Sequence, residues 1–222
     1  MLTLDLATPV RHLVLIGGGE FSFGETREID QYLISKMPAG RRTIAFIPAA
    51  SGSAEYAQHI GRYFREIDAS VETVNVPIYR GRDSRRQKNI NVILAAGMVY
   101  VGGGVTNQLL ATMLESAADL AMREAAANGT VIAAIGAAAS SFGTHAGDMS
   151  GVSPSIPALG WLRGTVIETS FLPDSDEKLR RMMSLPDVQL GIGIPRGTAV
   201  AVGDSGTTEV IGSGSIAAFR KK

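Results

Sequence analysis

The chain has 222 residues, 45% of them apolar, so it can bury one large hydrophobic core. Its 21 basic and 21 acidic side chains cancel, which argues against nucleic acid or an anionic membrane surface as a partner. Cysteine is absent and the three histidines are widely spaced, so disulfides, thiolate chemistry and a metal site are not expected.

The first two thirds of the chain alternate short apolar runs with stretches of helical periodicity. The apolar runs predict buried strands. These lie at 12–16, 43–47, 71–76, 98–101 and 131–135. Apolar side chains at helical spacing predict the helices between them. These lie at 25–37, 54–67, 91–96 and 106–128, and the last is the longest.

The last third has a different pattern, because residues 151–159 are rich in Ser, Pro and Gly. Later runs predict short strands at 164–169, 198–202 and 215–219. The repeated strand, loop and helix units indicate an α/β fold with a mostly parallel sheet flanked by helices on both faces. The late strands predict a C-terminal antiparallel extension. In such sheets ligands bind at the carboxyl ends of the strands.

The pattern indicates one domain over residues 1–222 in a cytoplasmic protein. No run approaches the roughly 20 apolar residues of a membrane span, and the N-terminus lacks a signal-peptide pattern. The segment Gly17–Gly19 does not fit a dinucleotide fingerprint, so no cofactor is expected. The expected partner is a small molecule, a peptide or another copy of the chain in a homo-oligomer.

Small residues follow several of the predicted strands. In chain order these segments are Ile16-Gly17-Gly18-Gly19, Ile47-Pro48-Ala49-Ala50-Ser51, Tyr100-Val101-Gly102-Gly103-Gly104 and Ile135-Gly136-Ala137-Ala138-Ala139-Ser140. Their order and spacing resemble the dipeptidase E and cyanophycinase family of serine peptidases. That family has a fold similar to class I glutamine amidotransferases. The resemblance covers about residues 12–219.

The resemblance implies a nucleophile elbow after the strand at 131–135. In the family a Gly-x-Ser-Ala-Gly segment turns sharply between strand and helix, and this turn exposes the serine oxygen. We match that segment to Gly136 through Ser140, which places the nucleophile at Ala138. A methyl group cannot attack a carbonyl carbon, so this alignment predicts that the nucleophile is missing.

The family's catalytic histidine lies in a His-Phe pair at the end of a later strand. The matching residues are Ser170 and Phe171, so a serine replaces the histidine. A hydroxyl has no pKa near neutrality and cannot act as a general base in the manner of histidine. Glu168, two residues earlier, is interpreted as a solvent-facing strand residue rather than an acid catalyst.

The resemblance also implies a ligand cleft in which the glycine-rich loop donates backbone N–H groups to an oxyanion. The residues expected to line this cleft are Gly103, Gly104, Ala138, Ala139 and Ser170. A peptide or an amino-acid-like molecule is the expected ligand.

A relocated set of catalytic groups is the alternative. Ser140, Ser141, His145 and Asp148 follow the elbow and include every side-chain type that a serine hydrolase needs. If a helix continues from the elbow, Ser141 and His145 lie one turn apart on the same face. Three hypotheses therefore stay open: a catalytically depleted ligand-binding homologue, an active hydrolase with relocated groups, and an oligomeric scaffold.

Overall fold

The computed structural model describes residues 2–50 and 54–221 of the chain. Each strand predicted in the first two thirds of the sequence is present. The strands are β1 (Leu13–Ile16), β2 (Thr43–Ile47), β3 (Glu72–Asn75), β4 (Met98–Val101), β5 (Val131–Ile135), β6 (His145–Ala146), β7 (Ile156–Pro157), β8 (Thr165–Thr169), β9 (Leu190–Ile194), β10 (Thr198–Val202), β11 (Thr208–Gly212) and β12 (Ala217–Arg220). The helices are α1 (Arg27–Lys36), α2 (Ala54–Ile67), α3 (Gln87–Ala95), α4 (Thr106–Met113), α5 (Ala117–Ala127), α6 (Ala137–Ser140) and α7 (Glu177–Met183), with short 3-10 helices at Phe21–Phe23 and Asp83–Arg85.

The main sheet has the strand order β11-β10-β1-β5-β4-β2-β3. Five neighbouring strands of this sheet, β1, β5, β4, β2 and β3, are parallel to one another. Beyond β1, the strands β10 and β11 extend the sheet in antiparallel pairing. The register aligns Ile16 with Ile135, and Val101 with Ala134. The carboxyl ends of β1, β5 and β4 therefore lie side by side, and the mostly parallel α/β architecture is confirmed.

The central strands β1, β2, β4 and β5 are buried on both faces of the main sheet, and successive side chains of each strand pack into opposite layers. Val14 and Ile16 of β1 pack in a cluster with α1 and α2. Leu13 and Leu15 face the opposite layer, which contains apolar side chains of α3, α4 and α5. This double burial explains why the parallel strands are near-continuous apolar runs in the sequence.

A second sheet with the order β12-β9-β8-β6-β7 packs beside the main one. Its outer pairs, β12 with β9 and β7 with β6, are antiparallel, whereas β8 is parallel to both β9 and β6. Ile167 of β8 and Ile192 of β9 belong to the same apolar cluster as Leu13 of the main sheet. The late strands thus include the expected antiparallel pairs but also two parallel pairs that the sequence pattern did not predict.

The prediction of a single long helix over 106–128 is wrong, because two helices occupy this stretch. α4 ends at Met113 and α5 begins at Ala117. Between them Glu115 has φ 52°, a left-handed conformation that interrupts a right-handed helix. The Ser116 hydroxyl accepts a hydrogen bond from the Asp119 N–H at 3.1 Å, which caps the start of α5. None of the helices within residues 2–50 and 54–221 is long and apolar enough to cross a membrane.

Candidate functional site

A sharp turn joins β5 to α6 at the carboxyl edge of the main sheet. Its central residue, Gly136, has φ 58° and ψ −125°, a conformation that residues with a side chain rarely adopt. The Gly136 N–H donates to the Ile16 carbonyl at 2.9 Å, which attaches the turn to the end of β1. A Cβ atom placed on Gly136 meets no heavy atom within 4 Å. A side chain at this position would therefore project into open space.

The turn thus lies at Gly136 and not at Ala138, where the sequence alignment placed it. Ala138 lies inside α6, and the side chains of Ala138 and Ala139 are fully buried in the core. Neither methyl group faces an open cleft, contrary to the expectation that both line the ligand site. In a nucleophile elbow the reactive side chain is carried by the strained strand-to-helix turn. Gly136 has the backbone geometry of that position.

Ser170 lies beside the same end of β1. Its N–H donates to the Gly17 carbonyl at 2.6 Å, and its hydroxyl donates to the same oxygen at 3.3 Å. Ser170 has φ 51° and its side chain is exposed. Gly136 is hydrogen-bonded to Ile16, and Ser170 is hydrogen-bonded to Gly17, the next residue of the chain. These two hydrogen bonds hold Gly136 and Ser170 close together at the end of β1.

The glycine-rich loop after β4 borders the turn. A Cβ atom on Gly103 would come within 3.1 Å of the Ile135 carbonyl oxygen, so a side chain there would push the loop away from the turn. Gly104 is exposed and has φ 148°. Among the described residues, the N–H groups of Gly103 and Gly104 donate no hydrogen bond. The loop that borders the turn therefore carries two backbone N–H groups with no acceptor among the described residues.

The structure does not assemble the relocated catalytic groups. α6 ends at Ser140, so the helix expected to carry Ser141 and His145 on one face is absent. The hydroxyls of Ser140 and Ser141 both donate to the Ala137 carbonyl at 2.9 Å. His145 lies on β6 with its Nε2 2.8 Å from Asp187 Oδ2. Within the described part of the chain, no hydrogen bond joins either serine to His145.

Asp148, the acidic member of that set, stabilises a loop. Its carboxylate accepts hydrogen bonds from Ser150 Oγ at 2.7 Å, Asn107 Nδ2 at 2.7 Å and the Ser153 N–H at 2.9 Å. The Ser150 bond and then the Asn107 bond hold the pKa of Asp148 well below its ordinary value. Over residues 2–50 and 54–221, no group of three or more His, Asp and Glu residues is placed to hold a metal ion.

Glu168 is not the solvent-facing residue that the sequence pattern indicated. Its side chain is half-buried, and its Oε2 atom is buried with no hydrogen-bond partner among the described residues. Burial raises the pKa of Glu168, and the nearby Lys178 ammonium group opposes this rise.

Sequence reasoning missed Gly136 as the turn residue, and one local signal could have identified it. Ile135 is the last residue of the apolar run, so the chain must turn immediately after it. No local signal predicted the contact between Ser170 and Gly17, which are 153 positions apart in the chain.

Comparison with known proteins agrees with this architecture. The sequence profile of peptidase family S51 matches residues 13–210. The uncharacterized peptidase YgaJ of Bacillus subtilis strain 168 is 31% identical over 176 residues, which cover 78% of this chain and 72% of YgaJ.

Two solved structures share the fold. The crystal structure of a peptidase from an acI-B1 actinobacterium has a TM-score of 0.78 at 23% identity and covers 95% of this chain and 91% of its own. The crystal structure of a putative peptidase E protein from Listeria monocytogenes EGD-e has a TM-score of 0.61 at 15% identity. The match covers 96% of this chain and 100% of the Listeria chain. Because the family profile spans most of the sequence and the Bacillus relative exceeds 30% identity, the chain belongs to peptidase family S51.

Proposed function

We propose that the chain is a catalytically depleted member of this peptidase family that binds a peptide or an amino-acid-like ligand at the carboxyl ends of β1, β4 and β5. The observation that carries the proposal is the elbow at Gly136. The turn keeps its strained geometry and its open space, but it carries no side chain that could attack a carbonyl carbon.

The position beside the elbow supports the same conclusion. Ser170 is held next to β1 where the resemblance places a histidine, and its hydroxyl cannot act as a general base near neutral pH. No described residue accepts a hydrogen bond from the N–H groups of Gly103 and Gly104, and in this proposal they donate to a carbonyl or carboxylate oxygen of the ligand. The cleft therefore retains groups that bind a ligand while it lacks groups that react with one.

Hydrolysis of dipeptides that begin with Asp or an isoaspartyl residue tests this proposal. We expect no turnover by the unmodified protein, and turnover by a double variant with Gly136→Ser and Ser170→His. Loss of catalytic triad members in a serine protease costs on the order of a million-fold, so even partial restoration gives a measurable rate. Circular dichroism checks that the variant folds, since serine at this φ is strained.

The matched control is the double variant with Ala138→Ser and Ser170→His. Position 138 is buried, so we expect this control to be as inactive as the unmodified protein. Turnover by the control would place the nucleophile at 138 instead of 136. Turnover by the unmodified protein would contradict the proposed depletion.

A further inference from the structure

A cleft of about 760 Å³ opens between the 3-10 helix at Phe21–Phe23 and α2. This volume is within the range of small-molecule and peptide sites. Its lining starts at Glu20, which directly follows the glycines at the end of β1. The Gly17 carbonyl accepts the Ser170 hydrogen bond three residues before Glu20, so the loop after β1 connects the cleft with the candidate site.

The floor of the cleft is a fixed aromatic surface. The ring of Phe21 lies 5.5 Å from that of Tyr56 and 5.1 Å from that of Tyr63, measured between centroids. The Tyr63 hydroxyl donates to Asp30 Oδ2 at 2.7 Å, and this hydrogen bond to a buried carboxyl group fixes the position of the tyrosine ring. Phe23, at the rim, is 84% exposed. An exposed phenylalanine above a rigid aromatic floor is typical of a binding surface.

The walls of the cleft carry both signs of charge. Arg27 of α1 and Arg62 of α2 are exposed guanidinium groups, and Glu66 is an exposed carboxylate one helical turn beyond Arg62. Among the described residues, none of these three side chains forms a hydrogen bond or an ion pair. Their charges are therefore available to a ligand that carries a carboxylate and an ammonium group.

The length of the cleft indicates how large this ligand is. The lining on α2 runs from Tyr56 to Glu66. Ten residues of α-helix span about 15 Å. An extended peptide rises about 3.3 Å per residue, so the cleft has room for about four residues.

We propose that this cleft holds the part of an extended peptide that continues beyond the elbow, so that an oligopeptide of about six residues binds more tightly than a dipeptide. This inference rests on the proposed function. An aromatic or apolar side chain of the peptide packs on Phe21 and Tyr63, an acidic side chain pairs with Arg27 or Arg62, and a basic one pairs with Glu66.

Isothermal titration calorimetry with three peptides tests the inference. The probes are Asp-Leu, Asp-Leu-Phe-Glu and Asp-Leu-Phe-Glu-Lys-Ala. We expect the hexapeptide to bind at least about ten-fold more tightly than the dipeptide, because it adds aromatic packing and charge pairing. The variants Arg62→Gln and Arg27→Gln should reduce this difference while dipeptide binding stays unchanged.

Arg85→Gln is the matched control, because Arg85 is exposed and lies outside the cleft. We expect this variant to bind all three peptides as the unmodified protein does. If it lost as much affinity for the hexapeptide as Arg62→Gln and Arg27→Gln do, the inference would be overturned. Equal affinity for the dipeptide and the hexapeptide would overturn it too, but would leave the proposed function intact. Failure of every peptide to bind would overturn both.

Discussion

At the scale of single residues, the carboxyl group of Asp30 is costly to bury. It is 1% exposed on α1, and its Oδ2 atom accepts hydrogen bonds from the hydroxyls of Thr26 and Tyr63, both at 2.7 Å. The Oδ1 atom is buried without a partner among the described residues. Burial raises the pKa of Asp30 to about 6 despite these two bonds.

This shift predicts that Asp30→Asn stabilises the protein near neutral pH. The pKa of Asp30 in the folded state lies above its ordinary value of 3.8. The contribution of protonated Asp30 to the free energy of unfolding is therefore fully present below pH 3.8 and is lost as the pH rises through about 6. Asparagine stays neutral, so the variant should gain on the order of 2 kcal/mol at about pH 7.5 and almost nothing at about pH 3. Urea unfolding at several pH values measures the difference.

Glu72→Gln is the control for this prediction, because Glu72 is an exposed carboxyl on the edge strand β3. We expect its stability to follow that of the unmodified protein at every pH. If Asp30→Asn shows no gain at neutral pH, the buried carboxyl is not the group that limits stability there.

At the scale of elements, the break between α4 and α5 depends on one strained residue. Glu115 has φ 52°, and glycine adopts this conformation without steric cost. We expect Glu115→Gly to stabilise the protein by roughly 0.5–1 kcal/mol in urea unfolding. The matched control is Glu124→Gly on the exposed face of α5, where glycine in a helix interior costs about 1 kcal/mol. Destabilisation by both changes would mean that the break does not strain the chain.

At the scale of the whole molecule, both sheets share one apolar cluster. Leu15 of the main sheet and Ile192 of the second sheet belong to it, and Trp161 is fully buried within it. The Trp161 Nε1–H donates to Asp119 Oδ1 at 2.8 Å, which connects the segment before β8 to α5. The two sheets should therefore unfold together.

We expect urea unfolding to show a single transition. Trp161 is the only tryptophan of the chain, so its fluorescence reports on the contact between the segment before β8 and α5. Its midpoint should coincide with that of far-ultraviolet circular dichroism, which reports on all helices and strands. Separate midpoints would show two folding units and would contradict the single domain over residues 1–222.

The sequence predicted the five parallel strands of the main sheet because buried parallel strands are continuous apolar runs, but it did not predict the edge strand β11. It predicted the break between α4 and α5 poorly, because the residues from Leu114 to Ser116 include no glycine or proline to mark it. The short strands β6 and β7 were also missed, since two-residue strands carry no periodic signal.

For the candidate site, the sequence alone determined which edge of the sheet matters, since small residues follow β1, β4 and β5, and it identified the family. The tertiary structure showed that Gly136 rather than Ala138 has the strained turn conformation, which is fixed by the hydrogen bond from its N–H to Ile16. It also decided that Ser170 lies beside Gly17, and that His145 is bonded to Asp187 and to neither serine. These contacts join residues that are distant in the chain, and packing rather than local pattern brings them together.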